Sequence, residues 1–132
     1  MSKAVLDTSA ILAVINQERG AERVADLLAD PKAELLIGTV NLSEAHAVMV
    51  NRGVPEREAW GFLAGFEAIV VPFDVGLARA SGKMIAQTRK LGLSLGDRAC
   101  IAIGLRERCP VLTADRAWGR LKMGVEIELI RD

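Results

Sequence analysis

Long apolar runs are missing from this chain. Although 51% of its 132 residues are hydrophobic, no stretch approaches the ~20 residues that a membrane-spanning helix needs. A membrane protein is therefore not expected, and with 26% charged residues the composition is that of a globular chain long enough to bury a core. A secretory leader is not expected either. Met1-Ser2-Lys3 passes straight into a strand-like Ala4-Val5-Leu6, so a cytoplasmic protein is the expectation. Cysteine is scarce: Cys100 and Cys109 have no metal-type spacing and suggest no disulfide framework. Cys100 lies in an apolar stretch and reads as a small core residue. Repeats, low-complexity tracts, Gly-rich phosphate loops and dinucleotide fingerprints are absent, and Gly92, Gly96, Gly119 and Gly124 read as turn residues. Net charge is absent as well, so no whole-protein field marks a nucleic-acid binder. The halves differ, however. Residues 1–66 carry 6 basic and 9 acidic side chains and residues 67–132 carry 11 and 8, or −3 against +3.

What is present is an alternation of short β-branched runs with longer helical patterns. Strands are expected at Lys3–Leu6, Glu34–Ile37, Ala68–Val71, Val111–Thr113 and Val125–Ile130. Helices are expected at 8–17, 20–29, 40–52, 55–66, 74–91 and 95–108, with a short one near 115–120. Asp30-Pro31, Gly53-Val54-Pro55 and Pro110 punctuate these elements. The run Ala99–Ile103 reads as buried helix rather than strand, because the apolar pattern continues to Glu107 and uses small residues. This rhythm predicts one α/β domain over 1–132, with a mostly parallel sheet and helices on both faces. On the 74–91 helix, Arg79, Lys83 and Lys90 would fall within roughly 40° of one another. No acid occurs from Val75 to Gly96, so this is either a solvated basic face or a stripe for RNA phosphates.

Four acids share one kind of place. Asp7 follows the first strand and opens a helix; Glu44 lies in the first turn after the second strand; Asp97 opens the apolar helix; Asp115 follows the fourth strand. Singly, each reads as a helix cap, and Asn41-x-x-Glu44 and Ser94-x-x-Asp97 both match a capping box or its Asp variant. Together they point elsewhere. Ligands of open α/β sheets bind beyond the carboxyl ends of the strands. Four carboxylates converging there would repel one another unless a cation neutralised them, and Mg²⁺ or Mn²⁺ prefers such oxygen donors. The chemistry that follows is metal-assisted phosphodiester hydrolysis. Thr8, Ser9 and Thr113 are placed to hold carboxylate rotamers, with ordinary capping as the alternative.

The segments Leu6-Asp7-Thr8-Ser9-Ala10-Ile11-Leu12, the helix-borne Glu44, Leu95-Gly96-Asp97-Arg98-Ala99-Cys100 and Leu112-Thr113-Ala114-Asp115-Arg116-Ala117-Trp118 resemble the PIN domain. More narrowly, they resemble the VapC-type toxins of toxin–antitoxin pairs, over about residues 4–130. The resemblance implies a three-layer α/β/α sandwich around a five-stranded parallel sheet. It also implies Mg²⁺- or Mn²⁺-dependent endoribonuclease activity leaving a 5′-phosphate, with Asp7, Glu44, Asp97 and Asp115 as the acidic cluster. Asp7 and Asp97 would be direct ligands, and Glu44 and Asp115 would act directly, through water or through a second ion. A homodimer and an inhibitory antitoxin are implied too.

Other residues read more plainly. His46 stands about 200° from Glu44 on a helix, so the two do not form a catalytic pair. Arg98 and Arg116 each follow a proposed ligand and are placed either for a scissile phosphate or for a structural ion pair. Trp60, Phe62 and Phe66, with Leu63, read as core or dimer contact, and Trp118 as packing a loop edge beside Asp115. The alternative function is a non-catalytic RNA- or protein-binding module on the same fold. A haloacid-dehalogenase-type phosphatase would need an acid where Ser9 stands. A receiver-like domain would need a paired acid near the first strand and a lysine after the last. A flap-nuclease relative would need more length to grip duplex DNA.

Overall fold

In the computed structural model, which describes residues 2–131, five strands form one sheet. They are Ser2–Leu6 (β1), Ala33–Gly38 (β2), Ile69–Val71 (β3), Val111–Thr113 (β4) and Ile127–Leu129 (β5). Every neighbouring pair is parallel, in the order β3-β2-β1-β4-β5. The helices are Thr8–Ile15 (α1), Ala21–Ala29 (α2), Thr39–Asn51 (α3), Glu56–Ala64 (α4), Val75–Lys83 (α5), Ile85–Thr88 (α6) and Leu95–Glu107 (α7). Short 3₁₀ turns cover Arg89–Leu91 and Arg116–Arg120. Among the described residues no helix is long and apolar enough to cross a membrane.

The period of two along each strand divides the core into two layers. Ala4 and Leu6 of β1, Leu35 and Ile37 of β2 and Leu112 of β4 pack with Ile11, Val24, Met49 and Leu63 from α1 to α4. Val5, Leu36 and Val111 point the other way, onto Leu77, Met84, Cys100, Ile101 and Ile103. The predicted α/β/α layering is therefore present. Ala99–Ile103 is the buried centre of α7, and Cys100 is a fully buried free thiol. α7 lies close on β4 because Gly104 carries no side chain: a Cβ there would stand 2.6 Å from Val111 Cγ2 and 3.0 Å from Val125 Cγ2. Gly104→Ala should therefore destabilise by about 1–3 kcal/mol of overpacking, outweighing the ~1 kcal/mol that alanine gains in a helix. Denaturant unfolding measures it, and an unchanged midpoint would show slack between α7 and β4.

Two expectations are corrected. The 74–91 segment is not one helix, because α5 ends at Lys83, Met84 has ψ near 1° and the chain continues through α6 into a 3₁₀ turn. Gly82 favours that break by its low helix propensity, and the buried Thr88 hydroxyl bonds back to Met84 O at 3.0 Å. Lys90 thus leaves the helix that carries Arg79 and Lys83, and the three do not share one helix face. Trp118 is wholly buried in the α7-side core, where the 3₁₀ turn points it inward, rather than packing a loop edge. Of the α4 group read as core or dimer contact, Leu63 is core and Phe66 packs partly against it, while Trp60 and Phe62 are about half exposed, which leaves dimer contact as their reading.

The connections place a crevice. The chain moves outward from β1 through β2 to β3, then returns to the other side of β1 for β4 and β5. β1 and β4 are neighbours whose following segments diverge, which is the switch point where open α/β sheets bind ligands.

Candidate active site

Asp7 occupies that point. It caps α1, its Oδ1 accepting the Ala10 N–H at 2.9 Å and the Ser9 hydroxyl at 2.7 Å, while Oδ2 accepts the Thr113 hydroxyl at 2.8 Å from the end of β4. A carboxylate offers about four lone-pair sites, so one on Oδ2 remains for a ligand. The residue is 3% exposed, and burial pushes its pKa up to about 6, with the Ser9, Ala10 and Thr113 hydrogen bonds opposing and the charge of Asp97 adding to the rise.

The other acids line the same cleft, a cavity of about 470 Å³ bounded by Asp7, Thr8, Glu44, Ser94, Asp97 and Asp115 among others. Glu44 lies in the second turn of α3, not the first, because the helix starts at Thr39 and its cap position is Gly38. The Asn41–Glu44 capping box is therefore not formed, and Glu44 Oε1 instead accepts the Thr8 hydroxyl at 2.7 Å. Ser94 and Asp97 do form a capping box at the start of α7, through Ser94 N to Asp97 Oδ2 at 2.9 Å and Asp97 N to Ser94 Oγ at 3.2 Å. Burial raises the Asp97 carboxyl above its ordinary range, and the charge of Asp115 adds to the rise. Asp115 caps the 3₁₀ turn through Ala117 N at 3.0 Å and is exposed at the rim.

Two features were not read from the sequence. Gly96 is buried contact rather than turn: a Cβ at this position would collide with the Glu44 carboxylate. Asn41 is wholly buried inside α3, its Nδ2 donating to Thr8 Oγ1 at 3.0 Å and to Gly96 O at 3.3 Å. The capping-box spacing disguised Asn41, and nothing in the local pattern marked Gly96.

Arg98 bonds Ser81 O at 3.0 Å and ties α7 to α5, and it makes no ion pair among the described residues. Arg116 is exposed beside Asp115 and also has no ion-pair partner among the described residues. His46 turns away from Glu44, as its position on the helix required. It pairs with Glu56 at 2.8 Å and meets the Trp60 ring edge-on with centroids 5.3 Å apart, joining α3 to α4.

The donors suit a hard divalent cation in kind, being carboxylate oxygens close enough for Asp97 to disturb Asp7 and for Asp115 to disturb Asp97. Among the described residues, no three His, Cys, Asp or Glu groups are already gathered as a ligand set. Asp97 is turned to its own helix cap and Asp7 to its hydroxyl partners.

A five-stranded parallel sheet with a carboxylate-lined cleft at its switch point defines the class of protein. The family model for the PIN domain matches residues 4–123, and the chain belongs to that family. No curated protein sequence matches significantly. Among solved structures, the chain is similar to VapBC2 from Rickettsia felis bound to a DNA fragment from their promoter, with TM-score 0.75 and 17% identity over 96% of this chain and 97% of that one. It is similar also to DNA-bound VapBC from Salmonella typhimurium, with TM-score 0.73 and 20% identity over 98% and 99%. VapC20 from Mycobacterium tuberculosis, named a sarcin-ricin loop cleaving toxin, gives TM-score 0.73 and 16% identity over 93% and 98%. At these identities the likeness is one of fold.

Proposed function

We propose that this protein is a Mg²⁺- or Mn²⁺-dependent endoribonuclease, the toxin of a toxin–antitoxin pair. The observation that carries the reading is that Asp7, Glu44, Asp97 and Asp115 line one cleft at the ends of β1 and β4 in a PIN-domain chain. Asp7 and Asp97 would hold the ion directly, and Glu44 and Asp115 directly, through water or through a second ion. An ion held there would supply activation of water and stabilisation of charge on the phosphodiester oxygens. The chain's own part is positioning. Ser9 and Thr113 fix the Asp7 carboxylate, Thr8 fixes Glu44, and the exposed Arg116 is free to meet a phosphate. Arg98 is anchored to Ser81 O through Nη1, which leaves its other N–H groups uncommitted by that bond.

Purified protein incubated with total cellular RNA and Mg²⁺ or Mn²⁺ tests the reading. Discrete fragments with 5′-phosphate ends, absent with EDTA, are expected. Folded protein that binds RNA and cuts nothing with either ion would favour a binding module instead.

The antitoxin partner is supported by the toxin–antitoxin complexes among the structural relatives and by an apolar groove of about 680 Å³. Val14, Ile15, Leu28, Phe62 and Phe66 line it, and it fits the apolar face of a partner helix. Phe62→Glu should abolish co-purification with the antitoxin while leaving RNA cleavage intact; unchanged co-purification would place the partner elsewhere. A homodimer in solution is the expected state, which sedimentation reads.

A further inference from the structure

We infer that Asn41 is a positioning residue for the cleft, orienting Glu44 through Thr8 and seating the first turn of α7 through Gly96 O. The inference rests on the nuclease reading of the same site. Asn41 donates both Nδ2 bonds, to Thr8 Oγ1 at 3.0 Å and to Gly96 O at 3.3 Å. A hydroxyl that accepts from one side turns its single proton to the other. The Thr8 proton therefore points at Glu44 Oε1, 2.7 Å away. The second bond holds Gly96, whose Cα lies against the Glu44 carboxylate and which immediately precedes Asp97. One amide thus sets two of the four acids.

The amide orientation is determined by its surroundings, since a flipped group would set Oδ1 against Gly96 O. In its place Oδ1 lies near Gly38, 3.3 Å from where a Cβ would stand, and has no hydrogen-bond partner although the residue is wholly buried. Buried polar atoms are normally paired, and an unpaired one is costly. An apolar residue here would avoid that cost, so the amide is kept for what its Nδ2 does. Asn41 is not itself part of the cleft lining, and it reaches the site only through Thr8, which is, and through Gly96.

The test is steady-state RNA cleavage and thermal melting of wild type, Asn41→Ala, Thr8→Val and the double variant. We expect Asn41→Ala to lower kcat about 10- to 100-fold, the usual loss when the partner of a metal-site ligand is removed, with KM for RNA within about twofold. The double variant should lose less than the product of the single losses, because both act on Glu44. A folded Asn41→Ala with wild-type kcat, or losses that multiply, would overturn the inference. If Asn41→Ala does not fold, Asn41→Asp keeps the volume and draws the Thr8 proton to itself. It should show the same fall in kcat, and wild-type kcat would overturn the inference. If wild type itself cuts no RNA, the nuclease reading fails. Orientation is then decided by a crystal structure of Asn41→Asp: release of Glu44 from Thr8 supports it, and an intact Thr8–Glu44 bond overturns it.

Discussion

Asp7→Asn should abolish RNA cleavage, by at least about 10³-fold, and at the same time make the ion-free protein more stable at neutral pH. The activity loss has the size seen when a preorganised electrostatic group is removed from a reacting centre. The stability gain follows from burial. The folded-state pKa of Asp7, about 6, lies above the ordinary 3.8, so the folded protein holds this proton more tightly than the unfolded chain. Its contribution is complete below pH 3.8 and is lost as pH rises through about 6. Above that, the ionised carboxylate costs roughly 1–3 kcal/mol in the ion-free protein. Asparagine removes the charge and keeps an oxygen for Ala10 N and Ser9. Its amide nitrogen can donate to Thr113 Oγ1, which already accepts the Asp115 N–H. Thermal melting from pH 4 to 8 should show the variant pulling ahead of wild type as pH rises from 4 to about 6, with the gap constant above that. Parallel melting curves would mean that Asp7 is not held ionised against its burial, and full activity would remove it from the site.

Gly96→Ala is the second large effect. Alanine normally favours a helix over glycine by about 1 kcal/mol, but here the added methyl would meet the Glu44 carboxylate. Either Glu44 is displaced from Thr8 or the first turn of α7 shifts and takes Asp97 with it. A fall in kcat of about 10- to 100-fold is expected, with the melting temperature changed little by comparison. Gly82→Ala is the control, since a Cβ there meets nothing within 4 Å and adds the same helix preference away from the cleft. Equal activity in both variants would show that Glu44 moves freely and does not act from its observed position.

Local chemistry was legible wherever one residue's neighbours in sequence are also its neighbours in space. Asp7 stands between an apolar strand and a helix, and Ser94 with Asp97 has the spacing of a capping box, so both places followed from pattern. The central strands β1, β2 and β4 agreed because parallel strands buried on both faces are apolar runs, while the more exposed edge strand β5 is shorter than Val125–Ile130. Contacts between distant segments were not legible. Asn41 matched a cap, yet α3 begins two residues earlier, at Thr39, and the amide faces Thr8 and Gly96, 33 and 55 positions away. Gly96 resembles any turn glycine until Glu44 is laid across it. The break after α5 was hidden because Leu77, Ala80 and Met84 keep a helical period through it.

The central claim is that these carboxylates bind a divalent ion, and titration of Mn²⁺ into the purified protein tests it most directly. In the described arrangement the acids are engaged by Ser94, Ser9, Thr113 and Thr8 and are not yet gathered around a common point. An ion held by the folded protein and not by the unfolded chain should stabilise the fold by mass action. Saturable Mn²⁺ binding by calorimetry and a rise in melting temperature are expected for wild type, both lost in Asp7→Asn and in Asp97→Asn. No binding by folded wild type, or the same binding in both variants, would contradict it.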